Sequence, residues 1–402
     1  MLCQFSFQNF KSYKNETTFD FQAANIQEFS DSLITGKSCS ALLPVGVIYG
    51  PNGGGKTNLL QALACMISTV VKPVHDLEKN RQDFIMQQKV TAEPFLFDQK
   101  SSAEPTVFQV FFRTEEYEYR YYLALQKDEI AAENLDRKKT GEKNAAHIFG
   151  RRGKEIDLGS ALKKENVNTN VNPKMPFLSF LAINYEIDFI TDVQMWFESC
   201  IVRSYANPIA EREIMISNDG EFKRKILILL NDMGIDISDY RYDKKENQLY
   251  LIRNIADHIY ELSFEHESDG TKKLIASLPV ILLALQEGRL VIIDELDAKL
   301  HPKLLRYVIA MFKNPRINKH GAQLLFTSHD IATMRNTVFR RDEIWFAALD
   351  QDHSSEIYSL YDIRKENNGH VNSAAPFDKQ YLEGRYGADP YLQNMLEGGE
   401  WK

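Results

Sequence analysis

Residues Gly50 to Thr57 read GPNGGGKT and match G-x-x-x-x-G-K-[ST], a spacing that suits a phosphate cradle. Glycines let a backbone curl until successive N–H groups point at one anion. Asn52, Gly53, Gly54 and Gly55 are therefore candidate backbone contacts. Lys56 has the reach for β- and γ-phosphates, Thr57 offers a hydroxyl to Mg²⁺, and Asn58 follows on the helix expected behind them. The N-terminus of that helix would present roughly half a positive charge to the same anion.

Two carboxylates supply the rest of a hydrolytic site. Asp294 and Glu295 end the apolar run LVII, so Asp294 could hold Mg²⁺ and Glu295 could orient or activate water. A second apolar run, QLLFT, leads to His329. A histidine just past a strand can reach a γ-phosphate. Read alone it is more often structural; its place after the acidic pair favours the phosphate role. Between these halves lies ESDGTKK, Glu267 to Lys273, where Ser268 or Asp269 can cap a helix whose start is competent to bind an anion.

Phosphate chemistry at strand ends needs a sheet to hold it. VGVIYG, Val45 to Gly50, reads as a buried strand entering the glycine turn, and Leu59, Leu60, Leu63 and Met66 give the helix after it. RLVIID and AQLLFTS are two further buried strands. Helices starting near Thr271 and after His301-Pro302 alternate with them, which implies a parallel α/β sheet. Phe5, Phe7 and Phe10 alternate as in a strand, a second strand fits TTFDFQA, and TVFQVFFR with YEYRYYLAL predicts an antiparallel flank.

The middle of the chain reads differently. Asp136 to Lys154 is basic and irregular, as a solvated loop or hairpin would be, or a contact surface for a partner or nucleic acid. Ile187, Ile190, Val193, Phe197 and Ile201 form one helical apolar face. Phe222, Ile226, Leu229, Leu230 and Met233 form another, stopped by Gly234. QLYLI and HIYELSF then return the chain to a sheet.

Bulk composition sets limits on function. Hydrophobic residues make up 44% of 402, as in a globular protein. The net charge is −8, which argues against coating nucleic acid through bulk charge while leaving room for a local basic patch. Cys3, Cys39, Cys65 and Cys200 are isolated, with no C-x-x-C pair for zinc or redox chemistry. The first residues do not have the form of a signal peptide. The most apolar run, Leu274 to Leu285, is too short to span a bilayer. A cytoplasmic protein with no membrane partner is the expectation.

Taken in order, these motifs resemble the ABC ATPase superfamily in its RecF, SMC and OLD-like branch, over roughly residues 1–130 and 245–402. NFKSY, Asn9 to Tyr13, is similar to the opening strand of that branch, which implies that Lys11 lies near nucleotide. SDGTKK takes the place of the ABC signature, with Ser268 and Gly270 matching. Asp269 and Thr271 depart from the transporter pattern and are similar to OLD-like ATPases. In DELDAKLHP, His301 stands where transporters carry the D-loop aspartate, and Gln99 is the candidate Q-loop glutamine. YLEGRYGADP, Tyr381 to Pro390, resembles the tail of RloA-like and AbiL-like ATPases of prokaryotic anti-phage and abortive-infection operons. Full OLD proteins continue into a TOPRIM nuclease domain. About seventy residues follow His329 without a cluster of acids, so no nuclease domain is expected here.

The resemblance implies an α/β ABC ATPase head with a mainly helical insert. Residues 1–135 would form the half carrying the P-loop, and 136–245 the insert, a basic loop followed by helices. Residues 246–402 would form the half with signature, Walker B acids and switch histidine. ATP and Mg²⁺ are the implied cofactors. The implied assembly is a homodimer or higher oligomer, each ATP lying between Lys56 of one head and Ser268–Gly270 of the other. Catalysis would fall to Glu295, His329 and Lys56. A separate nuclease or toxin effector is the implied partner, with nucleic acid possible. The alternatives are a RecF-like DNA-maintenance ATPase sensing ends or junctions, and a nucleotide-dependent scaffold with little turnover.

Overall fold

The computed structural model describes residues 1–36, 39–77, 91–205, 208, 220–243, 245–364 and 370–388. The chain begins with β1 (Leu2–Gln8), β2 (Thr17–Asp20) and β3 (Val45–Tyr49), followed by α1 (Lys56–His75). Five strands come next: β4 (Thr106–Arg113), β5 (Tyr117–Gln126), β6 (Glu129–Lys139), β7 (Ala146–Arg152) and β8 (Glu155–Leu158). The middle holds α2 (Ser160–Lys163), α3 (Phe177–Asn184), α4 (Asp188–Ser199), β9 (Ile201–Ser204) and α5 (Gly220–Asp232). A meander of β10 (Asp239–Asp243), β11 (Gln248–Ile255) and β12 (His258–Ser263) leads to α6 (Asp269–Glu287). The last part runs β13 (Leu290–Asp294), α7 (Pro302–Lys313), β14 (Gln323–Thr327), β15 (Ile344–Leu349), β16 (Ser355–Ser359) and α8 (Phe377–Leu382).

The fold is α/β, with a P-loop sheet and an antiparallel flank as expected. The central sheet has the order β16-β15-β3-β14-β13-β9 and is parallel except for β16. Its inner strands β15, β3, β14 and β13 are mostly apolar because both faces are covered. Ile48, Ile292 and Leu325 join α1 and the antiparallel sheet in one core, while Val47, Ile293 and Phe326 join α5, α6 and α7 in the other. Among the described helices, α1 alone is long and apolar enough to cross a membrane; here its apolar side chains fill the core beneath the antiparallel sheet.

The antiparallel sheet, β2-β1-β4-β5-β6-β7-β8, extends further than the sequence suggests. Of the loop or hairpin expected for the basic stretch 136–154, the hairpin is what forms: the end of β6, all of β7 and the turn into β8. A boundary at residue 135 would cut β6 in two. Arg137, Lys138 and Arg151 have partners there, while Lys139, Lys143, Arg152 and Lys154 stay exposed. Arg137 stacks on Tyr117 and Phe189, and Lys138 pairs with Glu118. Arg151, 3% exposed, donates to the carbonyls of Gly153, Met175 and Asn172 and lies 3.9 Å from the buried Glu133 carboxylate. Glu133 in turn accepts from the N–H groups of Phe177 and Leu178, capping α3. Arg151 is thus a structural cation, not part of a docking surface. Arg151→Ala should cost about 3 kcal/mol, because it removes the cation beside a buried carboxylate and the donor of three carbonyls. The exposed Arg152→Ala should stay within about 0.5 kcal/mol. Denaturant melts of the two variants side by side test this.

Other expectations shift by a few residues. Ile201 does not continue the α4 face; it opens β9, the edge strand beside β13. QLYLI and HIYELSF do return to a sheet, but to a separate one with β10, which the sequence reading did not assign. Asn9 to Tyr13 is a turn after β1 instead of a strand, with Asn9 at φ 56° and Lys11 at φ 50°. Hydrogen bonds between Phe10 and Tyr13 close that turn.

Candidate functional site

The glycine loop sits at the carboxyl end of β3, where open α/β sheets bind ligands. Its backbone is possible only for glycine at two points. Gly50 has φ 146°, and a Cβ there would lie 2.1 Å from the Ala347 carbonyl oxygen on β15. Gly55 has φ 102°, and a Cβ would lie 2.4 Å from Ser355 Oγ. Gly54 is buried under the same Ala347 carbonyl, while Asn52 and Gly53 face solvent. Lys56 is 6% exposed and arches back to donate to the carbonyls of Gly50 at 2.9 Å and Pro51 at 3.0 Å. Burial lowers its pKa, against the opposing pull of Asp294, Glu295 and Asp297.

Helix α1 and strand β13 bring together Thr57 and Asp294, the pair the sequence offers to Mg²⁺. Thr57 Oγ1 donates to Asp294 at 2.9 and 3.2 Å, and Thr327 Oγ1 donates to the same carboxylate at 2.6 Å. A hydroxyl and a carboxylate side by side at a P-loop are the hard oxygen donors Mg²⁺ takes, the remainder coming from phosphate and water. Among the described residues no group of three or more His, Cys, Asp or Glu is placed to hold a metal ion.

Glu295 is exposed just past β13, with φ 49°, its N–H donating to Thr327 Oγ1 at 2.7 Å. His329, also exposed, has its N–H held by Asp297 Oδ2 at 2.9 Å. Strands β13 and β14 are paired neighbours, so the acids and the histidine share one sheet edge. Ser268 caps α6, its Oγ accepting the Thr271 N–H at 3.2 Å, and both Ser268 and Asp269 are exposed. Gly270 packs so closely that a Cβ would lie 2.5 Å from the Lys299 carbonyl. Among the described residues no hydrogen bond joins Ser268 or Gly270 to the glycine loop of the same chain. Lys11 Nζ donates to Gln61 at 2.6 Å, on the flank of α1. Gln99 is exposed in the turn before β4, and His301 caps α7 with Nδ1 accepting the Lys303 N–H. Of the YLEGRYGADP segment, Asp389 and Pro390 lie outside the described residues.

A cleft of about 280 Å³ opens between the start of α6 and the acids, lined by Asp269, Lys272, Lys273, Asp294, Glu295 and Lys299. A larger cleft, about 550 Å³, lies among β1, β4, β5 and β6, where Arg113 and Lys138 pair with Glu118. The smaller one holds the carboxylates that phosphate chemistry needs, so size does not locate the site.

The family model described as "AAA domain, putative AbiEii toxin, Type IV TA system" matches residues 46–335, well over half the chain. The chain belongs to this AAA-domain family. Its span begins in β3 and ends past His329, taking in the glycine loop, α6, the acids and the histidine. This AAA-domain protein is therefore a P-loop ATPase by family. No curated protein matches it. Similar solved structures include an SMC head bound to the C-terminal winged-helix domain of ScpA, at 11% identity and TM-score 0.43, covering 89% of this chain and 97% of that one. Another is a dimeric ATP-binding cassette in a post-hydrolysis state with ADP and phosphate, at 12% identity and TM-score 0.32, covering 89% and 100%.

Several residues of this AAA-domain protein gain a place at the site that their sequence context alone did not assign. Ser12 Oγ accepts from Asn58 at 2.8 Å and from Ser355 at 2.8 Å, and Tyr13 donates to the Gly55 carbonyl, so the turn after β1 and the start of β16 buttress the loop from behind. Thr327 bridges Asp294 and Glu295. Lys273, 4% exposed, donates to the Glu295 carbonyl, and burial pulls its pKa down to about 8. Thr327 and Lys273 stand inside the sequence motifs already read, QLLFTSHD and ESDGTKK; Ser355 had no such signal.

Proposed function

We propose that this protein is an ABC-type ATPase subunit of a prokaryotic anti-phage or abortive-infection system, of the OLD-like, RloA-like kind. Two heads bind Mg²⁺ and ATP between them, and the ATP-driven closure gates a separate effector, a nuclease or toxin. The observation that carries the catalytic part is the Thr57–Asp294–Thr327 contact with Glu295 next in line: hydroxyl, metal-holding carboxylate and water-activating carboxylate meet at one strand end. Lys56 and the N–H groups of 52–55 hold the phosphates, with Asn58 behind them; His329 reads the γ-phosphate. The family's printed description supports the abortive-infection setting. Exposed Ser268, standing apart from its own glycine loop, supports a site completed by a second head.

Trans complementation tests the composite site. In a lone P-loop enzyme Ser268 would have no influence on hydrolysis at Lys56. In a paired head, the N-terminus of α6 aims its dipole at the γ-phosphate of the other chain. Ser268→Arg should block hydrolysis while leaving ATP bound at its own loop. Mixing it with Lys56→Ala should recover activity, because a mixed dimer contains one site with both halves intact. Exchange of protomers, verified by mass on tagged mixtures, without recovered turnover would rule out independently working composite sites.

A further inference from the structure

We propose that Lys273 is a positioning residue for the Glu295 carboxylate, tying the start of α6 to the acid pair at the end of β13. The inference rests on the reading of Glu295 as the water-activating base. Glu295 occupies the left-handed region at φ 49°, which is unfavourable for a residue with a side chain and needs outside support. Support comes from both sides of the residue. Its N–H is held by Thr327 Oγ1 at 2.7 Å, and its carbonyl accepts from Lys273 Nζ. With both backbone groups fixed, the direction in which the side chain leaves the loop is fixed as well.

Burial suits Lys273 to that task. It is 4% exposed, and it stands in the wall of the cleft beside the acids instead of out in bulk solvent. Burial disfavours its charge, and the carboxylates of Asp297, Glu295 and Asp294 oppose that. Asp297 spends Oδ2 on the His329 N–H, while its buried Oδ1 has no hydrogen-bond partner. One buried cation therefore neighbours both the acid that would activate water and the anchor of the histidine. Two more ties join the same pieces of chain: Asp269 pairs with Lys299 at 2.8 Å, and Gly270 packs under the Lys299 carbonyl. A shift of the start of α6, where a second head would press, is carried through Lys273 into the loop that bears Glu295.

The test is a double-mutant cycle on the full chain with Mg²⁺ and ATP. Lys273→Met keeps length and apolar bulk and removes the donor. Steady-state and single-turnover hydrolysis should fall by about tenfold to a hundredfold, as for a catalytic group held slightly out of place, with the ATP dissociation constant within twofold of wild type. In the Glu295→Gln background the same substitution should cost no further turnover, because the group it positions is gone. Wild-type turnover by Lys273→Met, or an equal fold loss in both backgrounds, would overturn the inference. Should Lys273→Met lack a cooperative melt, Lys273→Gln goes through the same cycle under the same criteria. Glu295→Gln with wild-type turnover would remove the base itself; Glu295→Gln inactive and Lys273→Met fully active would remove only the Lys273 tie.

Discussion

ATP at a hundred times its dissociation constant should stabilise the wild-type protein by about 2.7 kcal/mol, and should leave Lys56→Ala where it was. Lys56 is the one lysine of the glycine loop, and in the structure it is already folded inward, donating to the Gly50 and Pro51 carbonyls across the space the loop encloses. Phosphate oxygens would take over those donors and return a stronger, charge-assisted contact for the one lost. Alanine supplies neither charge nor donor, so only the loop N–H groups and the helix end remain to hold a polyanion. Thermal melts of both proteins across an ATP titration measure the difference. Equal shifts would mean that nucleotide binds elsewhere or not at all.

Glu295→Gln should bind ATP as wild type does and hydrolyse it about 10²- to 10⁴-fold more slowly, the range over which a positioned general base acts. Glutamine keeps the shape of the side chain, and the backbone contacts from Thr327 and Lys273 do not depend on the carboxylate. Glu295 is exposed at the rim of the cleft, so exchanging an acid for an amide leaves no buried charge uncompensated. Trapped with ATP, this variant should also accumulate as the larger species in mass measurements if ATP glues two heads together. Wild-type turnover would hand the water to another residue.

Much of this site was legible because its parts are local. GPNGGGKT carries its own geometry, since Gly50 at φ 146° and Gly55 at φ 102° take a backbone that favours glycine. LVIID and QLLFT announced buried strands through unbroken apolar runs. The Ser268 cap was visible from a serine three residues before Thr271. The less legible parts depend on partners distant in sequence. Arg137, Lys138 and Arg151 look solvated like the rest of 136–154 until Tyr117, Phe189, Glu118 and Glu133 are seen to receive them. Ile201 fits a helical stripe until β13 offers it a strand to pair with, after α4 has ended at Ser199.

The sequence by itself determined the order of the motifs, the α/β class, and which side chains could hold phosphate or activate water. Those properties follow from residue type and short-range spacing, which folding does not change. Tertiary structure decided which of those groups meet. Thr57 and Asp294 are separated by more than two hundred residues and come within 2.9 Å because β3 and β13 flank β14 in one parallel sheet. Lys273 became a buried tether, and Arg151 a buried structural cation, for the same reason. A charged side chain is read as solvated until a distant strand or helix removes its water and supplies the carbonyls and carboxylates that replace it.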